Sequence, residues 1–216
     1  MEENRQKPKE LKIALLGDTE VGKTIIASLY MGQEFLLETC ATIGVVKLEM
    51  NFMVKNNEDI KLILWDTAGV ERLRNITLTI LKQVHGAILI FDVTRKTSFD
   101  NLGIWLEAIK DNTDNFILVL FANKVDMDKS KWGVSIEETN QFAENKQIPL
   151  FETSARKKQG IMEGLSYIVN EIYDKKFMKN NESIIINNKE RKSNNNSGCI
   201  TNKKNKKIND DNNKKK

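Results

Sequence analysis

The chain has 216 residues, 40% of them hydrophobic and 30% charged, with a net charge of +4 and two cysteines. That length suits one domain with a tail and supplies an ordinary core. No apolar run reaches the roughly 18 residues of a membrane span, and the first thirty residues lack a signal-peptide pattern. Cys40 and Cys199 alone make neither a disulfide scaffold nor a zinc module, so the expected setting is the reducing cytoplasm. Charge is uneven. Residues 179–216 hold eleven Lys and Arg against four Asp and Glu, a net of +7, which leaves −3 on residues 1–178. A nucleic-acid groove on the body gets no support from that balance, and no nucleic-acid partner is expected.

Residues 1–9 are polar and read as a flexible N-terminus. Leu11–Leu16 is a short apolar run ending at Gly17, the pattern of a buried strand. Residues 22–32 read as a helix, with Ile25, Ile26, Leu29 and Tyr30 at helical spacing. Val45–Val54 and Ile60–Trp65 flank a polar, turn-like segment at 55–59 and read as a hairpin. Ala87–Phe91, Phe116–Phe121 and Pro149–Phe151 are further strand candidates. Helical patterns fall at about 98–110, 135–145 and 161–178. Strands alternating with helices predict an α/β fold with a mostly parallel sheet. Residues 179–216 are rich in Asn and Lys, with one apolar patch at 183–186, and read as a disordered tail.

Gly17-Asp18-Thr19-Glu20-Val21-Gly22-Lys23-Thr24 fits G-x-x-x-x-G-K-[ST], with a strand before it and a helix after it. Backbone N–H groups of such a loop point inward and cradle phosphate oxygens, and the helix N-terminus adds partial positive charge. Lys23 supplies a point charge for the β- and γ-phosphates, and the Thr24 hydroxyl suits Mg²⁺. A phosphate loop does not choose the base. Asn123-Lys124-Val125-Asp126 does: it follows a strand, at the edge where α/β sheets bind ligands. The Asp126 carboxylate can accept from guanine N1–H and its exocyclic amine, a donor pair that adenine lacks. Sites of that kind discriminate by about 10⁴ or more.

With these residues in place the sequence resembles a small GTPase of the Ras superfamily, most like the Rab branch, over about residues 10–177. The resemblance rests on the phosphate loop, Thr42-Ile43-Gly44, Trp65-Asp66-Thr67-Ala68-Gly69, Asn123–Asp126 and Glu152-Thr153-Ser154-Ala155-Arg156. Thr42 follows Thr24 by 18 residues, as the family pattern requires. The resemblance implies a P-loop NTPase domain over 10–178. Its six-stranded, mostly parallel sheet would have one antiparallel strand and about five flanking helices. It implies GTP/GDP and Mg²⁺ as cofactors. Gly17, Thr19, Glu20, Val21, Gly22, Lys23, Thr24 and Ile25 would line the phosphates, and Phe35 would lie against the guanine. Thr24, Thr42 and Asp66 would hold Mg²⁺, with Thr42 and Gly69 sensing the γ-phosphate beside Lys23. Asn123, Lys124, Asp126, Ser154, Ala155 and Arg156 would form the base pocket, Ala155 donating its N–H to guanine O6. An exchange factor, an activating protein and effectors are the implied partners of a monomeric switch in vesicle trafficking.

The pattern breaks at Val70, which stands where the family places a water-orienting glutamine. Valine cannot hydrogen-bond a water, so unaided hydrolysis is expected to be slow. Two readings stay open: an activating protein supplies the missing group, or the chain is a GTP-loaded scaffold with little turnover. Partner-surface aromatics also differ, since Lys47 replaces one and none lies near Ile80, although Trp65 remains. Glu20 places a carboxylate near the phosphates and reads as pointing outward without a role of its own. The last residues, 213–216, contain no prenylation motif. Cys199 is either a lipidated or an idle thiol. The tail lysines offer at most a weak, salt-sensitive contact with anionic lipid, at about 1 kcal/mol each. That would make the protein peripheral on the cytosolic face of endomembranes.

Overall fold

Six apolar stretches, none able to cover its own faces, pair into one sheet. The computed structural model describes residues 8–35, 42, 44–68, 79–110 and 116–178. Within them β1 (Glu10–Leu16), β2 (Val45–Met53), β3 (Asp59–Thr67), β4 (Gly86–Asp92), β5 (Ile117–Asn123) and β6 (Leu150–Thr153) lie in the order β2-β3-β1-β4-β5-β6. Among these six strands of the described residues, the β2–β3 hairpin is antiparallel and the other pairs are parallel. β4 is buried at every position, which is why it reads as an unbroken apolar run. β2, at the edge, alternates between half-buried and exposed residues. The hairpin turn at 55–58 is closed by hydrogen bonds from Val54 N–H to Glu58 and from Asn57 N–H to Val54.

The helices are α1 (Lys23–Tyr30), α2 (Lys96–Asp100), α3 (Leu102–Lys110), α4 (Ile136–Lys146) and α5 (Ile161–Tyr173), the last followed by a π-helical turn at Asp174–Met178. Strand side chains alternate between the two faces of the sheet. On one face Ala14, Leu16, Leu89, Phe91, Leu120 and Ala122 pack with Phe99, Leu102, Trp105, Ile109 and Ala143 of α2, α3 and α4. The other face meets α5. A Cβ added at Gly164 would stand 2.4 Å from the Phe121 ring, and one at Gly86 3.0 Å from Ile172. The Tyr30 hydroxyl donates to the Ile161 carbonyl at 3.1 Å and ties α1 to α5.

The expected helix at 98–110 is two helices joined at Asn101. That residue is a poor helix interior, and its amide is spent on Asp18 at 2.8 Å. The helix expected to run to 178 changes to a π turn at Asp174, which pairs with Lys55 of the hairpin turn. β3 and β5 run two residues beyond their apolar stretches, to Thr67 and Asn123. Ladder hydrogen bonds are made by backbone, so polar side chains ride to the strand ends, where the site lies. Residues 1–7, Gly69, Val70 and the tail from 179 with Cys199 lie outside the described residues. The described residues through Lys176 belong to one compact unit. Among the described residues no helix is long and apolar enough to cross a membrane.

Candidate functional site

The carboxyl ends of β1, β3, β4, β5 and β6 converge on one edge of the sheet, where open α/β sheets bind ligands. The loop after β1 is built by its two glycines. Gly17 has φ 135°, and a Cβ there would stand 2.1 Å from the Ile90 carbonyl oxygen. Gly22 has φ 103°, and a Cβ would meet the Asn123 amide at 2.5 Å. Any larger residue would push the loop away from β4 and β5. Gly22 also caps α1 without a side-chain hydrogen bond, so the first-turn N–H groups remain available to an anion.

Lys23 is buried beneath this loop. Its Nζ donates to the Gly17 carbonyl at 2.9 Å and the Asp18 carbonyl at 2.6 Å. Burial pushes its pKa down to about 8, against the pull of the Asp66 and Asp18 carboxylates. A buried ammonium whose hydrogen bonds among the described residues go to neutral carbonyls gains greatly from an arriving phosphate. The Asp18 side chain faces away from the loop and accepts from Asn101 Nδ2 at 2.8 Å and Trp105 Nε1 at 3.0 Å.

At the start of α1 three oxygens converge. Thr24 Oγ1 donates to Asp66 Oδ2 at 2.8 Å and lies 2.7 Å from Thr42 Oγ1, itself 3.4 Å from the same carboxylate oxygen. Burial raises the Asp66 pKa, while Thr24, Lys23 and Thr42 pull it back. Asp66 Oδ1 is buried and has no hydrogen-bond partner among the described residues. A buried carboxylate oxygen without a donor calls for a cation or an ordered water. Two hydroxyls and one carboxylate are hard oxygen donors of the kind Mg²⁺ takes. No group of three or more His, Cys, Asp or Glu able to hold a metal occurs among the described residues. Mg²⁺ here would complete its shell with ligand phosphates and water.

The second loop lies at the end of β5. Asn123 is buried and faces inward. Its Nδ2 donates to the Val21 carbonyl at 2.8 Å, and its Oδ1 accepts from Thr153 Oγ1 and Ala155 N–H, each at 3.3 Å. Asn123 therefore clamps three loops together, and the Ala155 N–H expected at guanine O6 is shared with it in this structure. Asp126 Oδ1 accepts from the Ser154 hydroxyl at 2.6 Å, which orients its carboxylate. Lys124, at φ 70°, pairs its Nζ with Asp92 Oδ2 at 2.6 Å.

Of the other expected residues, Thr19, Glu20 and Arg156 are exposed on the loops, Val21 is fully buried, and Ile25 and Phe35 are half-buried. Gly69 and Val70 fall outside the described residues. Sequence reading missed Asp92, Arg95, Asn101 and Trp105 as site residues; they touch the two loops from the end of β4, the cap before α2, the joint between α2 and α3, and α3. No local pattern marks them, since three lie at element ends and Trp105 sits on the buried stripe of α3. A cavity of about 700 Å³ lined by Leu106, Phe116, Pro149 and Tyr167 lies at the opposite, amino-terminal ends of β5 and β6.

The chain matches the family model for the Ras family over residues 12–200. It is similar to the GTP-binding protein ypt3 of Schizosaccharomyces pombe, 36% identical over 163 residues that cover 75% of each chain. The Ras-related protein RABA2a of Arabidopsis thaliana is 36% identical over 163 residues, 75% of this chain and 74% of that one. The Ras-related protein Rab11A of Lotus japonicus is 33% identical over 176 residues, 80% and 77% of the two chains.

Proposed function

Because the chain belongs to the Ras family, as a Rab-like small GTPase, we propose that it is a GTP/GDP switch in vesicle trafficking whose own hydrolysis is slow. Residues 10–178 are the switch domain and 179–216 a basic tail. The observation that carries this reading is the convergence of Thr24, Thr42 and Asp66 beside a buried Lys23, with Asp66 Oδ1 lacking a partner among the described residues.

Lys23 and the loop N–H groups hold the β- and γ-phosphates. Thr24, Thr42 and Asp66 would hold Mg²⁺, which when bound would supply positive charge to offset that of the phosphates. Asp126 accepts from the guanine edge, and Lys124, fixed by Asp92, lies along the base. Thr42 acts as the sensor of the γ-phosphate, which makes its contacts the readout for effectors. In hydrolysis water attacks the γ-phosphorus and the bond to the β–γ bridging oxygen breaks. Val70 offers that water no hydrogen bond, so positioning falls to a partner. Such a partner, an exchange factor and effectors complete the cycle, and the tail lysines add a weak contact with anionic lipid.

Val70 also favours a second reading, a GTP-loaded scaffold with little turnover. The nucleotide released on denaturing protein purified with Mg²⁺, identified by chromatography, separates the two. Mostly GDP supports the switch, mostly GTP the scaffold, and adenine nucleotide or none overturns both.

A further inference from the structure

A carboxylate stands in the phosphate loop itself. Glu20 has φ 64°, in the left-handed region that side-chain-bearing residues seldom adopt, and its side chain is 79% exposed. Beside a polyanionic ligand that charge opposes binding. Arg95 faces it. Nη1 of Arg95 lies 3.4 Å from Glu20 Oε2, and Nη2 donates to the Thr19 carbonyl. The guanidinium is also near enough to Lys23 to help lower its pKa, after the larger effect of burial.

The backbone beneath Arg95 is held. Its N–H donates to the Asp92 carbonyl at 2.9 Å, and its own carbonyl accepts from Ser98 N–H at 3.0 Å and the Ser98 hydroxyl at 2.7 Å. Asp92, in the same turn, holds Lys124 of the base loop at 2.6 Å. One turn thus reaches both the phosphate-binding and the base-reading segments. An exposed ion pair by itself contributes little to stability. Its weight here lies in what it does to the field at the phosphates.

We propose that Arg95 is a positioning residue for nucleotide retention, the counter-charge that lets Glu20 stand in the phosphate loop and the donor that holds Thr19 in place. This rests on the guanine-nucleotide reading above. The test is release of a fluorescent GDP analogue from the full chain in Mg²⁺, at low and high salt. Arg95→Gln should release roughly five- to tenfold faster at low salt, with the gap narrowing as salt screens Glu20. Arg95→Lys, which keeps the charge, should recover most of the loss. Adding Glu20→Gln to Arg95→Gln should slow release again, because the Glu20 carboxylate that Arg95 offsets is then gone. Parental release by Arg95→Gln, or a double variant as fast as Arg95→Gln, would overturn the inference. A parent chain that holds no guanine nucleotide would instead overturn the functional reading beneath it.

Discussion

Asn123 Nδ2 donates to the carbonyl of Val21 at 2.8 Å, so the base-reading strand end is bonded directly to the phosphate loop across 102 residues of sequence. Both residues are buried, and neither group has water as an alternative partner. The base motif is therefore also a structural clamp.

Asn123→Ala would leave the buried Val21 carbonyl without that donor, and Thr153 and Ala155 without an acceptor they share. The expected cost is about 2 kcal/mol of stability, together with faster GDP release. Thermal unfolding of the GDP-loaded protein and a dissociation time course check both, and an unchanged midpoint would contradict the clamp.

Asp66→Asn keeps the shape of the side chain and removes the charge that Thr24 and Thr42 surround. Release of GDP from the parent should accelerate when EDTA removes Mg²⁺. The variant should release rapidly in either condition. A preserved EDTA response would mean that Asp66 does not serve the metal.

Val70→Gln restores a side chain able to bond the attacking water. Single-turnover hydrolysis of bound GTP should quicken by about tenfold. Rapid-quench or phosphate-release kinetics on both proteins decide it, and equal rates would mean that something other than residue 70 limits the step.

His85 gives the pH dependence. Its Nδ1 accepts from Lys12 N–H at 2.9 Å, and burial, then the Lys176 and Lys12 charges, push its pKa down to about 4 from 6.5. The unfolded chain thus binds a proton in a range where the folded one does not. The stability is fully present above pH 6.5 and is lost as pH falls from 6.5 toward 4. With a discount for partial exposure the loss at pH 5 is on the order of 1 kcal/mol. Unfolding midpoints from pH 7 to 5 should fall for the parent and stay flatter for His85→Asn.

Sequence determined what runs of neighbouring residues encode. The phosphate loop was legible because two glycines, a lysine and a threonine shape one continuous turn and helix start, and their chemistry is local. The central strands were legible because burial on both faces leaves unbroken apolar runs, as at Ala87–Phe91, whereas the edge strand β2 showed through alternation and its polar turn. Tertiary structure alone decided what holds these pieces together. Asp18 with Asn101 and Trp105, Asp92 with Lys124, and Arg95 with Thr19 and Glu20 meet because β1 lies beside β4 and β4 beside β5. Glu20 passed for a bystander in sequence, since nothing local to residues 17–24 reveals an arginine that arrives from the far end of another strand. Periodicity reports which side of an element is buried and not which element lies against it. The polar contacts that fix the loops at the sheet edge follow from strand order, which no local pattern contains.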